Sequence, residues 1–300
     1  MSIVVSNISK SYKTVKALKN ISFKVKKGEL FGLIGPDGAG KTTLFRVLTT
    51  LLIADEGRAT VAGFDLIKDY KTIRENVGYM PGRFSLYQDL TVEENLKFFA
   101  TIFGTTIAEN YDLIKDIYVQ IEPFKTRRAG KLSGGMKQKL ALSCALIHKP
   151  KVLFLDEPTT GVDPVSRKEF WEMIKRLQQK GITILVSTPY MDEAALCDRI
   201  ALIQAGTILQ IDTPEAIIKH YPKAIYNVSA DNMYQLIQSL KAYEHSHSVY
   251  PFGEFVHYTD KRKGFDPQQL KHYLEEKQLA GISIEITQPT IEDAFMELAI

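Results

Sequence analysis

The sequence predicts an α/β domain built around a mixed β-sheet, followed by a smaller α+β domain. The first observation is a short apolar run, residues 30–34, that leads into a glycine-rich loop and then into a segment of helical periodicity. The second is an uninterrupted apolar run, residues 152–155, typical of a parallel strand buried on both faces. The third is a change of pattern near Tyr221 and Pro222. Together they predict a first domain over about residues 1–220 and a second over residues 221–300.

The loop at residues 35–43 has the spacing and the flanking elements of a phosphate-binding loop. Gly35 and Gly40 bracket four residues and are followed by Lys41 and Thr42. Glycines let successive backbone N–H groups point inward, and the N-terminus of the following helix adds partial positive charge. We expect Lys41 to reach the β- and γ-phosphates of a nucleoside triphosphate and the Thr42 hydroxyl to ligate Mg²⁺. The predicted phosphate-binding residues are Gly35, Pro36, Asp37, Gly38, Ala39, Gly40, Lys41, Thr42 and Thr43.

Two acidic residues, Asp156 and Glu157, follow the apolar run at residues 152–155 directly. They stand at the carboxyl end of a predicted buried strand, which is where ligands bind in open α/β sheets. We expect Asp156 to orient the Mg²⁺ shell and Glu157 to polarise the attacking water. A plain strand end with exposed acids is the alternative, and the phosphate-binding loop upstream argues against it.

A second potential anion site lies at residues 132–138. Ser133 is a natural N-cap, and Gly134 and Gly135 would expose backbone N–H groups at the start of an apolar helix. A capped helix without a ligand would explain these residues equally well. Their position just before the strand that ends in Asp156 and Glu157 favours a functional role.

The remaining elements follow from apolar periodicity and from turn and capping signals. In the first domain we predict strands at residues 3–8, 18–26, 58–64, 182–186, 199–203 and 207–211, helices at 90–103 and from Asp163 to Gly181, and an extended segment at 73–80 that ends at Pro81. In the second domain we predict strands at 224–229, 249–252, 254–259 and 282–287, helices at 232–243 and 266–279, and a closing helix at 291–298. The order βαββαβ is the ferredoxin-like arrangement.

The composition, 45% hydrophobic and 24% charged, is that of a globular protein, and no apolar run approaches the roughly 20 residues that cross a bilayer. A net charge of +3 gives no argument for a nucleic-acid partner. Cys144 and Cys197 lie among apolar neighbours and indicate a reducing compartment, so we expect a cytosolic protein. His245 and His247 could pair on a metal, but no third ligand is spaced to join them, which favours exposed polar residues.

In combination, these motifs closely resemble those of the ATP-binding cassette (ABC) ATPases over about residues 1–220. The matching features are the loop at 35–43, the Leu-Ser-Gly-Gly signature at 132–135, the strand that ends in Asp156 and Glu157, and the turn at 161–163. The resemblance implies a P-loop NTPase cassette, in which a mixed sheet carries a helical subdomain at about residues 84–148, with ATP and Mg²⁺ as cofactors.

The resemblance also implies roles for individual residues and partners. Tyr12 would stack on the adenine, Ser133 and Gly135 would contact the γ-phosphate of ATP held by the opposite subunit, and Asp163 would lie at the dimer interface. Because the chain has one phosphate-binding loop, two complete sites require a homodimer or a similar paired cassette.

The end of the chain resembles the accessory domain of exporter-type cassettes that serve separate, multidrug-like membrane permeases. We therefore expect a cytoplasmic protein that is peripheral on the inner face of the membrane, through a permease that docks near Gly82 to Phe103.

Two positions depart from the family pattern. The family usually has a glutamine where this chain has Gly82, and a γ-phosphate-sensing histidine where it has Pro189. Neither substitute ligates a metal or donates a hydrogen bond through its side chain. We still expect ATP hydrolysis, at a reduced rate, because Lys41, Asp156 and Glu157 remain.

Two other functions stay open at this point. One is a degenerate cassette that binds ATP and dimerises with little hydrolysis, which the two departures favour and Glu157 opposes. The other is a soluble cassette protein that acts on DNA or ribosomes; such proteins commonly carry two cassettes or a long coiled-coil insertion, and neither is visible here. The exported substrate does not follow from the sequence.

Overall fold

The computed structural model describes residues 1–299, which form two compact units. The first comprises residues 1–215 with 298 and 299, and the second comprises residues 216–297. The elements of the first unit are β1 (Ile3–Tyr12), β2 (Val15–Val25), β3 (Leu30–Ile34), α1 (Lys41–Leu48), β4 (Glu56–Val61), β5 (Phe64–Asp65), α2 (Tyr70–Asn76), β6 (Val77–Met80), α3 (Val92–Ile102), α4 (Ile107–Tyr118), α5 (Gly134–Leu146), β7 (Val152–Asp156), α6 (Pro164–Gln179), β8 (Thr183–Thr188), β9 (Arg199–Gln204) and β10 (Thr207–Asp212). Helix α7 (Pro214–Lys219) spans the boundary in sequence.

The main sheet of the first unit is mixed, as predicted. Its six strands lie in the order β10-β9-β3-β8-β7-β6, and every pair is parallel except β9 with β10. Every residue of β3, β7 and β8 is buried, which explains the apolar runs at residues 30–34, 152–155 and 184–186. Because neighbouring parallel strands end at the same edge, the loops after β3, β7 and β8 meet there.

A second, antiparallel sheet has the order β2-β1-β4-β5. Strands β1 and β2 are both longer than predicted, and they meet at a turn after Tyr12. Side chains from this sheet, including Ile8 and Phe23, pack in one core with Phe45 of α1 and Phe154 of β7. The burial of this shared apolar surface holds the two sheets and α1 together.

Helices α3, α4 and α5, which follow β6 and precede β7 in the chain, pack against one another. The predicted capping box of α3 is present: Glu94 N–H donates to Thr91 Oγ1 (3.2 Å), and Thr91 N–H donates to Glu94 Oε2 (2.8 Å). Helix α4 was not predicted, although Thr106 and Glu109 form an equivalent capping box at its start. The prediction of an extended segment over residues 73–80 was wrong for its first half, which belongs to α2.

The second unit contains β11 (Ile225–Ser229), α8 (Met233–Ala242), β12 (Ser246–Phe252), β13 (Phe255–Asp260), α9 (Pro267–Glu276), β14 (Ser283–Thr287) and α10 (Ile291–Leu298). The predicted order βαββαβ with a closing helix is confirmed. The sheet order is β12-β13-β11-β14, with antiparallel neighbours throughout. Leu236 and Leu240 of α8 and Leu270 and Leu274 of α9 pack with Tyr258 of β13 in the core of this unit.

Two histidine–carboxylate pairs join α10 to β12 and β13 within the second unit. His257 Nδ1 lies 2.7 Å from Asp293 Oδ1, with both side chains buried, and His247 Nε2 lies 2.9 Å from Glu297 Oε2. Across residues 1–299, no helix combines the length and apolarity that a bilayer crossing requires.

Candidate nucleotide-binding site

The phosphate-binding loop joins the end of β3 to the start of α1, as the sequence analysis predicted. Gly40, the N-cap of α1, has a φ of +105°, which lies in the left-handed region. A Cβ added to Gly40 would lie 2.5 Å from the carbonyl oxygen of Ala17, so a larger residue would force the loop away from β2. The close approach keeps the loop folded over the N-terminus of α1, where backbone N–H groups suit an anion.

Lys41 is buried within this loop. Its Nζ donates hydrogen bonds to the carbonyl oxygens of Gly35 (2.7 Å) and Pro36 (2.9 Å) and lies 3.0 Å from Glu157 Oε1. The side chain is only 2% exposed, so these partners must compensate the desolvation of its ammonium charge. A phosphate that entered the loop would offer the same ammonium stronger, charged acceptors.

Glu157 is held across the loop from Lys41 by an unusual backbone conformation. Its φ is +51°, a left-handed value that is uncommon for a residue with a side chain. Its backbone N–H donates to both the hydroxyl and the carbonyl oxygen of Ser187, each at 3.0 Å. These bonds stabilise a conformation that places the carboxylate at the mouth of the cleft rather than along the strand.

Asp156 is the last residue of β7 and is buried. Burial raises the pKa of its carboxyl group, while hydrogen bonds from Ser187 and Thr42 and the charge of Lys41 act in the opposite direction. Ser187 Oγ donates to Asp156 Oδ1 at 2.7 Å. The bond from Thr42 shows that the two predicted Mg²⁺ ligands are neighbours, and a carboxylate beside a hydroxyl is a donor set that suits Mg²⁺.

Ser187 therefore touches both acidic residues, and the sequence analysis did not single it out. It lies on β8 directly opposite Asp156, in the parallel pairing of β7 with β8. A polar residue within an otherwise apolar run was visible in the sequence. Its role depends on the pairing of two strands far apart in the chain, which the sequence pattern alone does not reveal.

A cleft of about 710 Å³ lies beside the phosphate-binding loop. Its lining includes Tyr12 and Val15 as well as Lys41, Thr42 and Glu157. Tyr12 is 43% exposed, and an exposed aromatic side chain suits the stacking of a flat ligand. The structure thus brings the predicted adenine-stacking residue and the predicted phosphate-binding residues to one cleft of suitable size for a nucleotide.

The signature residues and Asp163 lie together elsewhere on the first unit. Ser133 caps α5 by accepting a hydrogen bond from the Met136 N–H (3.4 Å), and Asp163 caps α6 by accepting one from the Ser166 N–H (3.0 Å). A Cβ added to Gly135 would lie 2.7 Å from Ser166 Oγ, so the starts of the two helices are in close contact. Among the described residues that line the nucleotide cleft, none comes from the signature.

Gly82 and Pro189 both lie close to the acidic residues. A Cβ added to Gly82 would be 2.9 Å from the carbonyl oxygen of Asp156, and Pro189 follows the last residue of β8. The two departures from the family pattern therefore remove side chains from the edge of the site itself.

Comparison with known proteins identifies the family. A family model described as ABC transporter matches residues 18–160. The chain is 40% identical over 288 residues to the probable multidrug ABC transporter ATP-binding protein YbhF of Escherichia coli (strain K12), which covers 94% of this chain and 49% of YbhF, so the chain spans about half the length of that relative. It is also 34% identical over 303 aligned residues to Nod factor export ATP-binding protein I of Rhizobium sp. (strain N33). That alignment covers 99% of this chain and 97% of the Nod factor export protein.

A solved structure supports the same relationship. It is a dimeric ATP-binding cassette in a post-hydrolysis state bound to ADP and Pi, with a TM-score of 0.64 and 25% identity over 70% of this chain and 98% of that one. The phosphate-binding loop, the paired acidic residues and the separate signature lie in the part of the chain that these proteins share. The chain belongs to the ABC transporter family, as one of its ATP-binding cassette proteins.

Proposed function

We propose that this protein binds ATP with Mg²⁺ and hydrolyses it as the ATP-binding subunit of an ABC exporter. The observation that carries the proposal is the ion pair of Lys41 and Glu157, with Nζ and Oε1 3.0 Å apart, in a cleft that Tyr12 also lines. The test is phosphate release from Mg-ATP by the purified protein. A protein that releases no more phosphate than its Glu157→Gln variant would contradict hydrolysis.

Binding uses groups that are already in place. The N-terminus of α1 and the backbone of the loop attract the phosphates, and Lys41 exchanges its carbonyl partners for the β- and γ-phosphate oxygens. Asp156 and Thr42 hold Mg²⁺, which neutralises charge on the phosphates. Ser187 keeps the Asp156 carboxylate in position through its 2.7 Å hydrogen bond. The Tyr12 ring stacks on the base.

Glu157 orients and polarises the attacking water. Once the phosphates bind Lys41 and replace Glu157 as its partner, the Glu157 carboxylate can accept a proton from a water in line with the γ-phosphate. Its backbone is anchored to Ser187 through two 3.0 Å bonds, so the carboxylate reaches this water without a rearrangement of the sheet edge. Pre-positioning of this kind supplies much of the catalysis in phosphoryl transfer.

A complete site needs a second cassette. Ser133 and Gly134 are exposed, and they lie outside the cleft that contains Lys41. In a homodimer or a paired cassette, Ser133, Gly134 and Gly135 of one subunit act on the γ-phosphate of ATP held by the other, and Asp163 lies at the shared interface. The dimeric state of the solved relative supports this arrangement.

The permease docks on a groove of about 590 Å³ between the helical part and the main sheet. Apolar and aromatic side chains from residues within and beyond 82–103 line it, including Leu51, Tyr79, Leu86, Phe99, Phe103 and Ala141. An apolar groove of this kind suits an amphipathic segment of a membrane partner. The protein is then cytoplasmic and peripheral to the membrane, and the names of its relatives favour export.

Filling the groove is expected to release the protein from its permease. Ala141→Trp places a large ring in the groove, and we expect most of the co-purifying permease to be lost from solubilised membranes while ATP binding by the isolated protein stays unchanged. The control is Ala108→Trp, at an exposed position of α4 outside the groove. Equal permease recovery with both variants would contradict this docking surface.

A cassette with little hydrolysis remains the second candidate, because Gly82 and Pro189 leave the site without two side chains. Pro189→His is expected to raise kcat by about tenfold, since its side chain adds a hydrogen-bond donor that can stabilise the negative charge developing in the transition state. Pro189→Ala removes the ring without adding a donor and serves as the control. Phosphate release that rises equally in both variants would assign the effect to the backbone instead.

A further inference from the structure

Glu193 is a buried carboxylate to which the proposed chemistry gives no role. It lies in the short 3₁₀ segment at residues 191–196, after β8, and is 2% exposed. Burying an ionised carboxylate is costly unless hydrogen bonds or opposite charges compensate it. Because its burial costs desolvation free energy, the groups that bind the Glu193 carboxylate indicate its role.

Three side chains from different parts of the first unit converge on Glu193. Thr159 Oγ1 donates to Oε1 at 2.7 Å, and Thr188 Oγ1 donates to Oε2. Arg167 of α6 brings its Nε to 3.3 Å from Oε1 and supplies the opposite charge. Both threonines are buried, so each hydroxyl depends on this carboxylate.

The two threonines belong to the segments that matter most for hydrolysis. Thr159 lies two residues after Glu157, within the loop at residues 157–163 that leads to Asp163. Thr188 ends β8 and directly precedes Pro189, and its hydroxyl also accepts a hydrogen bond from the Tyr190 N–H at 3.0 Å. Glu193 therefore ties the loop that carries Glu157 to the segment where this chain lacks the usual histidine.

The backbone of Glu157 needs such a restraint. A left-handed residue with a side chain persists only when the surrounding structure over-determines it. The bonds from the Glu157 N–H to Ser187 restrain one side of the residue. The bond from Thr159 to Glu193 restrains the other side, two residues further along the chain.

We propose that Glu193 is a positioning residue for hydrolysis: through Thr159 and Thr188 it holds the 157–163 loop so that the Glu157 carboxylate stays aimed at the attacking water. This assignment rests on the proposed ATPase function. Glu193 is not among the residues that line the nucleotide cleft, so we expect its loss to slow the chemical step and to leave nucleotide binding intact.

The test uses the threonine that carries the restraint. Thr159→Val removes the hydroxyl at nearly constant volume, and we expect kcat to fall by about 10- to 100-fold with KM within about twofold of the wild type, because a small misplacement of a catalytic group has this effect. Thr159→Ser restores a hydroxyl and is expected to recover most of kcat. Glu193→Gln keeps an acceptor oxygen for only one of the two threonines and loses the charge, and its kcat is expected to lie between those of the wild type and Thr159→Val.

Thr259→Val is the matched control. Thr259 is a buried threonine of the second unit whose hydroxyl bonds to Ser248, so its loss imposes a similar packing and hydrogen-bond defect away from the site. Thermal denaturation of all variants measures the general loss of stability. A wild-type kcat in Thr159→Val, a matching loss in Thr259→Val, or a rise in KM equal to the fall in kcat would each overturn the assignment while leaving the ATPase function standing. A wild-type protein that releases no phosphate would overturn both.

Discussion

Glu157→Gln is expected to lower steady-state phosphate release by at least about 100-fold while ATP binding persists. A carboxamide cannot accept the proton that the attacking water must lose, and general base catalysis supplies a factor of about 10² to 10⁴. The substitution keeps the size of the side chain and the backbone bonds to Ser187, so the loop has no reason to move. Phosphate release and the binding of a fluorescent ATP analogue, measured on the same sample, separate the two effects.

The chain offers a closely matched control for this experiment. Glu169 pairs with Lys139 at 2.8 Å, much as Glu157 pairs with Lys41 at 3.0 Å, but it lies outside the nucleotide cleft. Glu169→Gln should therefore leave turnover near that of the wild type. Unchanged turnover in Glu157→Gln would remove Glu157 from its proposed role.

Lys41→Ala is expected to weaken ATP binding by at least about 100-fold, or about 2.8 kcal/mol at 1.4 kcal/mol per tenfold. The ammonium is the one buried cation at the loop, and phosphate oxygens are its strongest available partners. The change also removes the Lys41 hydrogen bonds to the carbonyls of Gly35 and Pro36, of which Pro36 keeps one from the Ala39 N–H, so the empty loop loses stability as well. Titration with an ATP analogue measures the affinity, and thermal denaturation measures the stability.

Lys139→Ala serves as the control here, since it removes a lysine from an ion pair of similar length outside the cleft. If both lysine variants bound ATP like the wild type, Lys41 would have no part in holding the phosphates. A loss of binding in Lys41→Ala with no shift in its denaturation temperature would assign the effect to phosphate contact alone.

Local signals in the sequence predicted a large part of this structure. The strand, loop and helix around Lys41, the apolar strand that ends in Asp156 and the βαββαβ order of the second unit were all predicted from periodicity, glycines and caps. These elements are specified by residues that are near one another in the chain. Three helices were not predicted: α2 and α7, which have only 7 and 6 residues, and α4, whose capping box was visible but whose polar face weakened the pattern.

What the sequence by itself determined is the set of motifs available to this protein: a phosphate-binding loop, two acidic residues after a buried strand, and a signature for which we propose a role at the site of a second cassette. The tertiary structure alone decided which residues support that chemistry. The parallel pairing of β7 with β8 places Ser187 opposite Asp156, and the packing of the segment after β8 brings Glu193 to Thr159. Ser187 lies 30 residues from Glu157 and Glu193 lies 34 residues from Thr159 along the chain, and such contacts depend on strand order and register, which local periodicity does not encode.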